Sequence, residues 1–438
     1  MSMKRQALAF AAAALLQAPT ALAATELQFW HSMSGAAGDE VNALASRFNA
    51  SQQGYRVVPV FKGGYEDSLA AGVAAFRTRA APHILQVFDA GTATMMAARG
   101  AVKPLYQLMA EAGEKFDARA YMPAVSSYYL DKRGKLLSLP FNSSTAVFFY
   151  NKDLFKKAGI DPDLAPKTWR DVQAAALKVR DTDAAPCAYT TDWQSWVLVE
   201  SLSALHNEPL ATRSNGFGGA DAKLNFNGQL LMRHIGLMSS WAKSGLFTYA
   251  GRGTGGEAKF ASGECAMVTA SSSAYAGLAK SARFAFAVSP LPYYDEFSGA
   301  PYNTIIRGAS LWVPAGKKPA EYKGIAKFFS YLSGPEVQAE WNRQTGYLPN
   351  TLAAYALIRA QGYYDRNPGA DVAVEQMSRK FEHYSRGVRL AHFSRIRAVI
   401  DEELEAVWSQ IKTPKEALDS AVVRGNDLLR RFERGGKG

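Results

Sequence analysis

The chain has 438 residues, 48% of them hydrophobic and 20% charged, which is the composition of a folded globular protein and excludes a disordered or fibrous one. Its formal charge of +11 suits an anionic ligand, but the basic residues are scattered and form no zinc-finger spacing, RNP-like motif or basic–aromatic repeat, so nucleic acid is excluded as a partner. The length exceeds what one ordinary core supports and fits two lobes.

Residues 1–23 read as a secretory leader. Lys4 and Arg5 precede an apolar run from Ala7 to Leu16, and Ala21-Leu22-Ala23 supplies a small-residue cleavage site. The run is too short to span a bilayer, so cleavage near Ala23 and a periplasmic mature chain are expected. No cysteine follows the cleavage site, which argues against lipid attachment there.

Beyond the leader, Glu26 to Trp30 alternates as a strand, and Gly35 to Asn49 places Val41, Leu44, Ala45 and Phe48 on one helical face. Tyr55 to Phe61 predicts the next strand, Gly63-Gly64 a turn, Glu66 to Arg77 a helix, and His83 to Phe88 a buried strand. A second set follows, with Thr168 and Asp171 spaced as a capping box, a strand at Ala188 to Thr191, a helix at Gln194 to Ala204 and a strand at Cys265 to Thr269. The end of the chain is helical, over Ile396 to Ile411 and Pro414 to Phe432. This alternation predicts an α/β protein with two lobes, each a mainly parallel sheet flanked by helices, with the ligand cleft at the hinge. Cys187 and Cys265 leave two readings open, a disulfide or two buried thiols.

Catalysis finds little foothold. The six histidines do not lie at metal-pair spacing, and neither a Gly-x-Ser-x-Gly elbow nor a Walker loop occurs, so no cofactor, no metal and no enzymatic activity are expected. Gly251 to Gly256 satisfies a dinucleotide pattern but lacks its strand–turn–helix context. The acidic group Asp401, Glu402, Glu403 and Glu405 reads as a solvated helix face.

Candidate binding residues stand where such sheets hold ligands. Tyr65 follows Gly64 between a strand and a helix, where free N–H groups favour an anion; an ordinary loop tyrosine is the alternative. Asn142 to Thr145 and Ser271 to Ser273 offer hydroxyls at strand ends, or are plain turns. Trp193 and Trp196 share a helical face, either as core or as a cleft wall. Arg397 opens an amphipathic helix, as a solvated cation or a phosphate fork.

A family resemblance joins these residues. Ser144-Thr-Ala-Val-Phe-Phe-Tyr-Asn-Lys-Asp-Leu-Phe-Lys-Lys-Ala-Gly-Ile160 with Pro166-Lys-Thr-Trp169 resembles the interlobe signature of the maltose-binding-protein-like extracellular solute-binding proteins, family 1. Phe88-Asp-Ala-Gly-Thr-Ala-Thr-Met-Met96, Gly308-Ala-Ser-Leu-Trp-Val313, Thr345-Gly-Tyr-Leu-Pro349 and Ile400-Asp-Glu-Glu-Leu-Glu405 are similar to the sn-glycerol-3-phosphate-binding branch of that family, which serves ABC importers. The resemblance implies a periplasmic binding protein for sn-glycerol 3-phosphate or glycerophosphodiesters, working with membrane permease and ATPase subunits as a monomer. It implies that Tyr65, Ser144, Ser271, Gly308, Tyr347 and Arg397 hold phosphate and hydroxyl groups. Trp193 and Trp196 would line the glycerol side, and Asp89 would accept from glycerol hydroxyls. It further implies lobe one at residues 24–142 plus 303–346 and lobe two at 143–302 plus 347–438. Two positions depart from the family: Asp89 replaces the usual Glu, and Arg307 replaces the first glycine of a Gly-Gly pair. Arg307 is either an added phosphate contact or a solvent-facing side chain. The rival readings are an oligosaccharide-binding protein of the same fold, an extracytoplasmic glycerophosphodiester hydrolase using Asp89 and Asp401, and an adhesin or scaffold.

Overall fold

The computed structural model describes residues 24–98 and 100–435; the expected leader lies outside them. Two α/β units form around two sheets. In the first, β1 (Thr25–His31) pairs in parallel with β2 (Tyr55–Phe61) and with β3 (Ile84–Phe88). Parallel neighbours need crossover connections, and two helices supply them. Helix α1 (Gly35–Ala50) buries Val41, Leu44, Ala45 and Phe48, the face its periodicity marks out, and α2 (Tyr65–Arg77) leads back to β3. All five residues of β3 are buried, as a strand covered on both faces must be.

The remaining strands are β4 (Val102–Lys103), β5 (Leu139–Ser144), β6 (Ala146–Asn151), β7 (Cys187–Thr191), β8 (Cys265–Ser271), β9 (Phe286–Ser289) and β10 (Arg307–Pro314). The larger sheet runs β2-β1-β3-β10-β4 with β5 also on β10, and the smaller runs β7-β8-β6-β9. The expectation of mainly parallel sheets is corrected here. β10 is antiparallel to β3, β4 and β5, and β6 is antiparallel to β8 and β9, while β7 and β8 are parallel. The physical reason is connectivity: β10 re-enters the first sheet from the other unit instead of through a local crossover helix.

These crossings position the site. β5 ends at Ser144 in one sheet and β6 begins at Ala146 in the other. Thr145, between them, shares a hydrogen bond with Thr304 Oγ1 at 2.6 Å and donates to the Ile305 carbonyl at 2.9 Å, tying the outgoing crossing to the returning one. Gly308 sits at φ +119°, where a Cβ would meet the Asn142 carbonyl at 1.8 Å, so only glycine lets β10 approach β5 this closely.

In the second unit, helix α3 (Trp169–Asp181) starts with the Thr168–Asp171 capping box read from the sequence. The disulfide reading of the cysteines is the one realised: Cys187 and Cys265 are bonded across a registered β7–β8 pair. The stretch expected as one helix from Gln194 instead has π-type geometry over Ser195–Ser201 and becomes α-helical over Leu202–Leu205. A short helix, α4 (Gly255–Ala261), follows the glycine-rich loop, and α5 (Phe393–Trp408) packs on α6 (Pro414–Gly435). Among the described residues, no helix is long and apolar enough to cross a membrane.

Candidate functional site

The seam between the two units gathers side chains from distant parts of the chain. From the first unit come Tyr65, at the start of α2, and Asp89, one residue past β3. From the strand crossings come Ser144 and Gly308, and Tyr347 follows α-helical residues 335–345. The second unit adds Ser271 at the end of β8, Trp193 and Trp196 beyond β7, and Arg397 in α5.

The hydroxyl group of residues is held by a fixed relay. Gln86 Nε2 donates to Asn142 Oδ1 at 2.8 Å, and Asn142 Nδ2 donates to the Tyr65 hydroxyl at 2.8 Å. Asn142 thus takes an acceptor position of the Tyr65 hydroxyl, whose proton is directed only to a weak acceptor, Met33 Sδ at 3.9 Å. Burial pushes the Tyr65 phenol well up, and the neighbouring Tyr347 adds to it, so both phenols stay neutral donors. Tyr65 is also stacked on Phe88, with ring centroids 5.4 Å apart. Gly346, at φ +73°, lies where a Cβ would meet the Ser273 carbonyl at 2.7 Å, which lets the Tyr347 turn press against the Ser271–Ser273 loop. Ser271 Oγ and Ser273 Oγ are 2.8 Å apart, and Ser144 Oγ donates to the Arg307 carbonyl at 3.4 Å. The Asn142–Ser144 run is thus strand, with Asn142 and Ser144 used for contacts, rather than a turn.

Arg397 is buried and engaged. Its Nη2 lies 2.5 Å from Asp89 Oδ2, and its Nε and Nη2 meet the two Glu200 carboxylate oxygens at 2.7 and 2.8 Å. Burial pulls this guanidinium down, but Asp89 and Glu200 outweigh it and hold the pKa well above the ordinary range. Glu200 itself is pushed up by burial, against the pull of Arg397. The reading of Arg397 as a phosphate fork therefore meets a competitor, because the two carboxylates already occupy its Nε and Nη2. The same contact takes one oxygen of Asp89, the residue expected to accept from glycerol hydroxyls. Glu200 was not singled out in the sequence; its signal is a lone acid in the apolar run Val197-Leu-Val-Glu-Ser201.

Arg307 is in the cleft, not in solvent. Its guanidinium carbon lies 3.8 Å from the Trp193 ring centroid and 5.4 Å from that of Trp196. Burial lowers its pKa, and the nearby Arg397 lowers it further. Among the described residues it pairs with no carboxylate. Trp193 has φ +43°, a turn that aims its ring across the cleft, whereas Trp196 is fully buried. Asp192, next to Trp193, accepts from the Glu257 backbone N–H at 3.0 Å through Oδ1, while its Oδ2 has no partner. Burial pushes Asp192 up to about 7.

The acidic group of α5 is corrected from a solvated face to a bonded one. Asp401 and Glu403 are buried. Asp401 accepts from the Ser195 backbone N–H at 3.3 Å and burial pushes it up to about 6; Glu403 is met by Lys412 at 2.6 Å and Arg424 at 2.7 Å. Glu405 accepts from Tyr249 at 2.5 Å and Arg252 at 2.7 Å. Glu402 stays exposed, paired with Arg424, so the solvated reading holds for it, while tertiary neighbours override it for Asp401, Glu403 and Glu405.

Two α/β units joined by paired strand crossings, with hydroxyls, aromatics and guanidiniums converging at the seam, define a two-lobed ligand-binding protein. The chain belongs to the bacterial extracellular solute-binding proteins, whose family pattern matches residues 43–370. It is 52% identical over 419 residues to the sn-glycerol-3-phosphate-binding periplasmic protein UgpB of Yersinia pestis, covering 95% of each chain. It is 51% identical, with the same coverage, to UgpB of Salmonella typhi. Its fold is that of UgpB from Mycobacterium tuberculosis in complex with glycerophosphocholine (TM-score 0.78, 21% identity, covering 93% of this chain and 99% of that one). It is also that of the cyclic α-maltosyl-1,6-maltose binding protein from Arthrobacter globiformis (TM-score 0.76, 22% identity, 93% and 100% covered).

Proposed function

We propose that the protein is the periplasmic substrate-binding component of an ABC importer, capturing sn-glycerol 3-phosphate or glycerophosphodiesters for a membrane permease and its ATPase subunits. The observation that carries this reading is the convergence of neutral donors from Tyr65, Ser144, Ser271 and Tyr347 with the Arg307 guanidinium, unpaired among the described residues, at one seam beside the clamped Arg397. Such a set satisfies a phosphate's hydrogen-bonding needs while keeping excess positive charge low in the empty cleft. The full-length likeness to sn-glycerol-3-phosphate-binding proteins supports the same ligand class.

The lobes of this reading are residues 24–142 plus 303–346 and 143–302 plus 347–438, working as a monomer. Closure about the crossings at Ser144, Gly308 and Tyr347 couples binding to hinge motion. Trp193, Trp196 and Asp89 line the cleft beside the phosphate donors. Catalysis is disfavoured because Asp89 and Asp401, the carboxylates of a hydrolase reading, are taken up by Arg397 and by the Ser195 backbone.

Isothermal titration of the mature protein with sn-glycerol 3-phosphate, glycerophosphocholine and maltose tests the reading. Micromolar binding of a phosphate compound, about 8 kcal/mol, with maltose silent, is the expected result. Maltose alone, or no heat from any of the three, overturns it.

A further inference from the structure

We infer that Arg307 sets the selectivity of this cleft, directing it to phosphate monoesters and against phosphodiesters that carry a cationic head group. The inference rests on the proposed function and names the ligand class within it.

The argument begins with what occupies the aromatic wall. An indole face is the strongest side-chain site for a cation, and quaternary ammonium groups are commonly held on such faces. Here the Arg307 guanidinium lies on Trp193 at 3.8 Å and reaches toward Trp196. The protein's own cation fills the place that a choline-type head group would take, and a second cation brought there meets like charge beside a partly buried guanidinium.

The second step concerns donors. With its carbon 3.8 Å from the Trp193 centroid and no carboxylate among the described residues paired to it, the Arg307 guanidinium keeps the donor fork that matches phosphate oxygens. Arg397 cannot offer this without giving up Asp89 and Glu200, which hold its Nε and Nη2. The four charges nearest one another, Arg307, Arg397, Asp89 and Glu200, sum to zero, and Arg307 is the cation among them that pairs with no carboxylate among the described residues. A monoester, with about −1.5 to −2 charge at neutral pH, gains more from that free cation than a diester with a single negative charge.

Other groups face Arg307. Asp192, Tyr65, Tyr347, Asp89, Glu200 and Arg397 all lie within electrostatic range of it. Asp192 is the one whose burial-raised titration, up to about 7, overlaps the monoester's own second ionisation at about 6. A pH series must therefore be compared with the same series on Asp192→Asn.

The experiment is calorimetric titration of the full mature chain and of Arg307→Gly, Arg307→Gln and Arg307→Lys with sn-glycerol 3-phosphate and glycerophosphocholine, from about pH 5 to pH 8. The native protein is expected to prefer the monoester at least tenfold, with affinity rising as the monoester takes its second charge. Arg307→Gly and Arg307→Gln should each weaken the monoester by at least tenfold, flatten its pH dependence and leave the diester unchanged or tighter. Arg307→Lys should keep part of the preference. Thermal unfolding of each variant checks folding, and the native protein's own ligand ratio tests the inference if a variant does not fold. Equal binding of both ligands by native protein and variants overturns the inference and leaves the proposed function standing. Binding of neither phosphate compound by the native protein overturns both.

Discussion

Arg397 and Arg307 face the same cleft but have opposite surroundings. Arg397 is buried between Asp89 and Glu200, with three charge-assisted contacts of 2.5–2.8 Å, and it joins Asp89 of the first unit to Glu200 of the second. Arg307 lies over the Trp193 ring, pairs with no carboxylate among the described residues, and keeps part of its surface open. Two residues of one type, brought together by the fold, thus divide the work. One is held by the protein's own charges; the other is held by aromatic faces and is the one proposed to meet a ligand.

Replacing each cation separately tests this contrast at its largest. Arg397→Met leaves two buried carboxylates without their partner and should lower stability by about 3–5 kcal/mol, read as a fall in the denaturation midpoint. Adding Asp89→Asn and Glu200→Gln to the same chain should recover most of the loss, because the stranded charges are then gone. A midpoint unchanged by Arg397→Met would remove the clamp from the argument.

Asp192 sharpens the comparison from the other side, as a buried acid next to Trp193 within electrostatic range of Arg307. Its native pKa, raised to about 7 by burial, lies above its unfolded value, so between about pH 4 and pH 7 the native state binds more protons. Stability from this group is therefore present at low pH and is lost as pH rises through that window. Asp192→Asn should match the native protein near pH 4 and exceed it by about 1–3 kcal/mol near pH 8, measured by denaturant unfolding without ligand. A variant curve parallel to the native one at every pH would show that Asp192 does not titrate there.

The smallest effect expected is that of Arg307→Gly on stability itself. Losing a stacked cation at the first residue of β10 should change unfolding free energy by about 1 kcal/mol or less, even where ligand binding collapses. A loss as large as that of Arg397→Met would place both cations in the same structural role and end the contrast.

Where the candidate residues stand in the fold was legible, because they fall at strand ends and helix starts. Tyr65 opens a helix after Gly64, Ser271 ends β8, and Asp89 follows β3. What each side chain touches was not legible. Glu200 meets Arg397 from 197 residues away and Asp89 meets it from 308, so no local pattern records either pair. The same limit explains α5, whose acids look solvated by period alone yet are met by Ser195, Lys412, Arg424 and Arg252.

The sequence by itself determined the local elements: the apolar periods of α1, the Thr168–Asp171 box and the buried strand β3. These depend on residues a few positions apart, and neighbouring side chains are enough to specify them. Only the tertiary structure decided the direction of β10, the bonding of Cys187 to Cys265, and the partition between a clamped Arg397 and a stacked Arg307. Each of those depends on which segments the folded chain brings together, because charge pairing, stacking and strand pairing act at a few ångströms regardless of separation along the chain.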